Sequence, residues 1–166
     1  GLFETGAGGS APKHVDQFME TGHLRWDSLG EFLALAESLR MIEQKNPNDK
    51  LAAMTAGLDA ANQGYLDNNK APGRKVGQPD NKASHFFLAQ YWAEALANGD
   101  NAELAAKFAP VAKALKDNEE KIMEELMAAE GEGKTTDVGG YFHPNDEMAA
   151  KAMRPSATLN AIIDAI

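Results

Sequence analysis

Apolar residues recur at intervals of three and four along most of the chain, the spacing of a helix face rather than the alternation of a strand. Ser10, with Pro12 near the first turn, opens a helix that runs to about Thr21 and stops at Gly22. A second stripe carries Leu29, Phe32, Leu33, Leu35, Ala36, Leu39 and Ile42. Ser28 and Glu31 have capping-box spacing at its start, and Asn46-Pro47-Asn48 ends it near residue 45. Asp49 to about Asn68 forms the next helix, with Leu51, Met54, Leu58, Ala61 and Tyr65 on one side. Residues 82–97 carry Phe86, Phe87, Leu88, Tyr91, Trp92 and Leu96, apolar around much of the circumference, which predicts a central helix. Asp100 and Glu103 cap a further stripe of Leu104, Phe108, Val111, Leu115, Ile122 and Leu126 that reaches about Glu130, with a break or kink at Pro110. Asn145 starts a short helix to about Met153, and Ser156 starts a last one after Pro155. Val138 to Phe142 is the remaining strand candidate, with a short strand end at Leu2-Phe3. There is no internal repeat and no linker, so residues 1–166 read as one mainly α-helical unit with at most short strands.

Composition supports the helical reading, with 29 Ala and 15 Leu against nine Val plus Ile. Sixteen Lys plus Arg against 25 Asp plus Glu leave a net charge of −9, which argues against a sequence-independent nucleic-acid binder. The absence of Cys excludes disulfides, zinc knuckles, iron–sulfur sites and thiol nucleophiles, and fits a cytoplasmic protein. No apolar run is long enough to span a membrane, and Glu4 with no basic-then-apolar run predicts no signal peptide. The charge is uneven. Residues 94–132 hold ten acids and four Lys, a net of −6, which reads as a solvated helix face. Residues 70–82 hold Lys70, Arg74, Lys75 and Lys82 against Asp80, a net of +3.

The segment ETGAGGSAPKH, residues 4–14, carries the most chemistry. A Gly-rich loop lets backbone N–H groups approach an anion, and the helix that follows offers unpaired N–H groups and the positive end of its dipole. Thr5 and Ser10 add hydroxyls, and Lys13 and His14 lie in the first turn. The spacing is neither the Rossmann pattern nor a P-loop, so an ordinary turn before a capped helix is the competing reading. Arg25, beside Trp26 and Asp27, and the basic 70–82 segment could face a phosphate, although an Arg next to Trp also stacks on rings at surfaces. His23, His85 and His143 are far apart with no paired-His spacing, and no acidic cluster suits a divalent cation.

The runs LFETGAGGSAPKH, HLRWDSLGEFLALA, YLDNNKAPGRKVGQPDN, SHFFLAQYWAEALA and VGGYFHPNDEMAAKAMRPSATLN together resemble the C-terminal part of the monomeric NADP-dependent isocitrate dehydrogenases, over essentially the whole chain. The resemblance implies the C-terminal part of an α/β domain of the isocitrate/isopropylmalate dehydrogenase type, with residues 4–14 as the cofactor loop. It implies that the adenosine end of NADP, with its 2′-phosphate, is held by Gly9, Ser10 and His14, with Lys13 adjacent, by Arg25 and Asp27, and by Arg74. The cationic groups suit the phosphate and Asp27 suits ribose or adenine hydrogen bonds. The family oxidises isocitrate by hydride transfer to NADP and then releases carbon dioxide with help from Mg²⁺ or Mn²⁺. The metal, isocitrate and acid–base residues belong to earlier parts of a family chain several times longer, so this chain alone is expected to be inactive and to bind cofactor weakly at most. Its implied partners are NADP, isocitrate and the rest of the parent chain, without nucleic acid or membrane. The competing reading is a ligand-free helical scaffold whose 82–97 helix contacts a partner.

Overall fold

The computed structural model describes residues 11–166, which form eight helices and no strand. The Leu2-Phe3 strand end, Gly9 and Ser10 lie outside the described residues. In chain order the helices are α1 (Ala11–Thr21), α2 (Leu29–Lys45), α3 (Asp49–Asp67), α4 (Asn81–Ala97), α5 (Ala102–Asp117), α6 (Glu119–Ala128), α7 (Asp146–Met153) and α8 (Ala157–Asp164).

Helix α4 is the axis, packed between α3 and α5, with α2 against α3 and α8 against α5 and α6. Two apolar clusters meet on it. Phe86, Phe87 and Ala93 join Ala112, Leu115, Ile122 and Leu126 on one side, and Leu88 joins Phe32, Ala36, Leu58, Ala61 and Tyr65 on the other. The α3–α4 approach is close because α3 offers small residues there. A Cβ on Gly57 would lie 3.1 Å from Leu96 and 3.2 Å from Trp92, and one on Gly64 would lie 3.3 Å from Tyr91. The Trp92 indole N–H donates to the Met54 carbonyl at 3.1 Å across the same seam. Because the chain's own helices bury α4, the competing scaffold reading loses the surface it assigned to a partner. Large apolar side chains are exposed elsewhere, including Leu33, Leu35, Met41 and Ile42 on α2 and Phe142 in the loop before α7.

Several local expectations are corrected. Ser28 makes no side-chain cap, because its Oγ accepts from Asn81 Nδ2 at 2.8 Å. Glu31 instead accepts from the Trp26 indole at 3.0 Å, and Asp27 takes over the cap by accepting from Leu29 N at 3.1 Å. Asn101, not Asp100, caps α5 through Leu104 N. Pro110 sits inside α5 and is exposed, so the carbonyl it leaves without a donor faces water, and the break falls at Asn118 instead. Residues 138–142 are not a strand. Gly139 and Gly140 adopt φ of +82° and +134°, and the loop closes through Asn145 N donating to Val138 O at 2.7 Å. No helix among the described residues is long and apolar enough to cross a membrane.

Most acids of 94–132 face solvent as expected, and Glu125 and Glu130 depart from that. The Glu125 carboxylate accepts from Ser156 Oγ at 2.6 Å, Thr158 Oγ1 at 2.8 Å and Thr158 N at 3.2 Å, fastening the start of α8 to α6. The Ser156 and Thr158 hydrogen bonds hold its pKa below the usual glutamate value. The stabilisation is therefore present above the ordinary glutamate pKa and lost as pH falls through the lowered one. Amide protection in α8, corrected for intrinsic exchange rates, should drop on that acidification. Glu125→Gln should lower it already at neutral pH and remove most of the acid response; unchanged protection in the variant would refute the role.

Candidate functional site

The site grows from the crossing after α1. Gly22 has φ of +69°, and a Cβ there would lie 2.3 Å from the Ala129 carbonyl oxygen, so only glycine fits this turn. The chain then runs without regular structure through residues 23–28 before α2. Its backbone groups are paired by the start of α4: Leu24 N donates to Asp80 Oδ2 at 2.9 Å, Asn81 N to Leu24 O at 2.8 Å, and Asn81 Nδ2 to Trp26 O at 2.8 Å.

Beneath this strap lies a buried polar cluster. Asp80 caps α4 through Lys82 N at 3.0 Å, and its Oδ2 is 2.5 Å from the Lys82 ammonium. That ammonium also donates to the Gly22 carbonyl at 2.7 Å, at the C-terminal end of α1. A carboxylate at a helix start and a cation at a helix end both oppose the local dipole charge. Beside them, His23 is fully buried between two oxygens, Glu130 Oε2 at 3.1 Å from Nδ1 and the Gly73 carbonyl at 2.9 Å from Nε2. A carbonyl only accepts, so Nε2 carries a proton and donates to Gly73. The Nδ1–Glu130 contact then holds one further proton, as imidazolium with carboxylate or as imidazole with carboxylic acid. Burial pushes the Glu130 carboxyl up, and its bonds from His23 and Gly77 N pull against that rise. Glu130 Oε1 accepts from Gly77 N at 3.1 Å.

His23, Asp80 and Glu130 place ligand-type atoms within 4.8 Å of one another. They do not suit a divalent cation, because the Lys82 ammonium already sits on Asp80 and the His23 ring nitrogens are engaged with Glu130 and Gly73. Sequence reading missed this cluster. His23 is 107 residues from Glu130 and 50 from Gly73, so no local spacing announces it. The one available signal was Lys82 two residues after Asp80 at a helix start.

The residues implied by the resemblance surround this crossing. His14 on α1 meets Trp26 edge to face, with ring centroids 5.4 Å apart, which sets α1 against the residue between Arg25 and Asp27. Lys13 is exposed on α1. Asp27 Oδ1 accepts from the Tyr65 hydroxyl at 2.8 Å as well as from Leu29 N. Burial raises the Tyr65 pKa far above its usual value, so the phenol remains a donor. Arg74 is exposed on the loop between α3 and α4, one residue after the carbonyl that His23 grips. Gly9 and Ser10 lie outside the described residues. The +3 loop resolves into parts. Lys82 and Asp80 are a buried pair, Lys70 lies 3.9 Å over the Phe87 ring, and Arg74 and Lys75 remain as its exposed cations. Of the four arginines, Arg40 and Arg154 pair with Asp59 and Asp164, whereas Arg25 and Arg74 have no carboxylate partner among the described residues.

A family model described as monomeric isocitrate dehydrogenase matches residues 1–164. The chain is 58% identical over 164 residues to isocitrate dehydrogenase (NADP) of Azotobacter vinelandii, covering 98% of this chain and 22% of that protein. It is 54% identical over 167 residues to isocitrate dehydrogenase (NADP) 2 of Colwellia maris, covering 100% of this chain and 22% of that one. With isocitrate dehydrogenase (NADP) 2 of Mycobacterium tuberculosis the identity is 49% over 167 residues, with coverage of 100% and 22%. The chain thus spans about a fifth of the length of these relatives, as 22% coverage requires.

Breaking the buried pair should be far costlier than breaking a surface one. Asp80→Ala strands the buried Lys82 charge and should cost about 3–5 kcal/mol. Arg40→Ala, which opens the exposed Asp59 pair, should cost far less, because solvent screens that pair. Urea denaturation of both variants checks this, and equal losses would contradict the structural role of the Asp80–Lys82 pair.

Proposed function

The chain belongs to the monomeric isocitrate dehydrogenase family, and from that premise we propose that it supplies the binding site for the adenosine 2′-phosphate of NADP in an isocitrate dehydrogenase. The parent activity in this reading is oxidation and decarboxylation of isocitrate to 2-oxoglutarate. The relatives bear the name isocitrate dehydrogenase (NADP), and the observation that carries the reading to this surface is the pair of arginines without carboxylate partners among the described residues, Arg25 and Arg74. A planar guanidinium offers a forked set of donors to a phosphate and keeps its charge at any working pH.

In this reading Arg25 and Arg74 bind the phosphate, His14 and Lys13 approach it from the start of α1, and Gly9 and Ser10 of loop 4–14 complete the cradle with backbone N–H and hydroxyl donors. Asp27 accepts from sugar or base, since a carboxylate would repel the phosphate. NADP, when bound, accepts the hydride from isocitrate. This chain's residues hold the far end of the cofactor and move no proton in that step. No described cluster fits Mg²⁺ or Mn²⁺, and we assign the metal, the isocitrate site and the acid–base groups to the parent chain outside these residues. The isolated chain should therefore make no NADPH from isocitrate.

The test is Arg25→Gln in the full-length protein that carries this segment. Losing a charge-assisted hydrogen bond costs about 1.5–3 kcal/mol, so KM for NADP should rise roughly 10- to 100-fold. KM for NAD, which lacks the 2′-phosphate, should change less than about twofold, because no bond to that group is there to lose. Equal weakening of both cofactors would sink the 2′-phosphate assignment.

A further inference from the structure

We propose that His23 and Glu130 are positioning residues that present Arg74 and Lys75 as a preformed anion clamp; the inference rests on the assignment of this loop to the 2′-phosphate. The pair grips the loop on both sides of its exposed cations. His23 Nε2 donates to Gly73 O at 2.9 Å, immediately before Arg74, and Glu130 Oε1 accepts from Gly77 N at 3.1 Å, two residues after Lys75. The two grips are themselves joined by the His23–Glu130 contact at 3.1 Å. The turn between them closes on itself through Gln78 N to Lys75 O at 3.1 Å, Lys75 N to Gln78 Oε1 at 3.1 Å, and Gly73 N to Pro79 O at 2.8 Å.

The anchor is rigid where the tip is not buried. His23 is fully buried and Glu130 nearly so, while Arg74 and Lys75 face solvent. The same imidazole lies two residues before Arg25, on the strap that carries the other candidate phosphate ligand, whose backbone Asp80 and Asn81 hold. A long basic side chain on a free loop loses backbone entropy when it closes on an anion. A loop already pinned on both sides of the cation loses less, and the difference goes into affinity. The two grips are backbone contacts, so they fix the path of the turn without using up a cationic head.

A double-mutant cycle in the full-length protein tests this. Glu130→Ala should raise KM for NADP about tenfold and change kcat less than twofold, with KM for NAD nearly constant. Glu130→Gln should restore NADP affinity, since its amide can donate to His23 Nδ1 and accept from Gly77 N. In an Arg74→Ala background, Glu130→Ala should add little, because the route through which it acts is gone. If Glu130→Ala does not fold, Glu130→Asp, which keeps the carboxyl group and withdraws it by one methylene, serves in its place. The same NADP penalty in both backgrounds, or equal effects on NADP and NAD, would overturn the clamp and leave a purely structural pair. If Arg74→Ala weakens NADP but neither Glu130 variant does, this inference alone falls. If Arg74→Ala changes neither cofactor, the phosphate assignment of the loop fails and the clamp fails with it.

Discussion

A carboxylate and an ammonium, both out of water, are the constraint on which this part of the molecule is built. Neither Asp80 nor Lys82 could be buried alone, because an isolated charge in a low-dielectric interior costs several kcal/mol even after relaxation, on the order of the stability of a whole domain. Together they are also well hydrogen-bonded: Asp80 accepts from Leu24 N, Lys82 N and the ammonium, and the ammonium also donates to Gly22 O. Those bonds tie the end of α1, the strap and the start of α4 into one node. A pair of leucines of similar volume could fill the space, but they could not pair the strap's backbone groups, which a buried irregular segment must have satisfied.

The node explains where the exposed cations stand. The strap and the α3–α4 loop are both irregular, and irregular chain normally lies at the surface with high mobility. Here each is pinned from beneath by buried polar contacts, the strap through Asp80 and Asn81, the loop through His23 and Glu130. Arg25, half-buried on the strap, and Arg74, exposed on the loop, are free of carboxylates among the described residues. In a chain of net charge −9 that separation is informative. The acids outnumber the bases, yet these two guanidinium groups are left unpaired while Arg40, half-exposed on α2, is matched by Glu37 and Asp59.

How much of this was legible followed the range of the interactions. Helix bounds depend on neighbours three or four residues away, so α3, α7 and α8 could be read from Asn48, Asn145 and Ser156 and from the stripes that follow them. The capping box at Ser28 failed because a tertiary partner, Asn81, was 53 residues away and took its hydroxyl. The strand expected at 138–142 fails because Gly139 and Gly140 both adopt positive φ and make a turn. Arg25, Asp27 and Arg74 are candidates drawn from local motifs and the family resemblance, whereas the buried His23–Glu130 contact joins residues 107 positions apart and leaves no periodic trace.

Asp27 shows how burial divides labour within one constellation. Both of its recorded bonds, from Tyr65 OH and Leu29 N, fall on Oδ1, and Oδ2 has no partner among the described residues. The Tyr65 phenol, raised by burial, stays protonated and keeps donating, so it orients the carboxylate without neutralising it. A fixed negative charge beside Arg25 would weaken a phosphate held too near it, since like charges a few ångströms apart repel by about 1–4 kcal/mol in aqueous to surface-like surroundings. It would strengthen a bond from a hydroxyl, for which a carboxylate oxygen is the better acceptor. A ligand carrying a phosphate and a free hydroxyl on adjacent carbons satisfies both demands at once, provided the phosphate turns to the arginines and the hydroxyl to Oδ2. Under the proposed 2′-phosphate assignment, that polarity would orient a sugar phosphate on the strap, which a cluster of cations alone would not do.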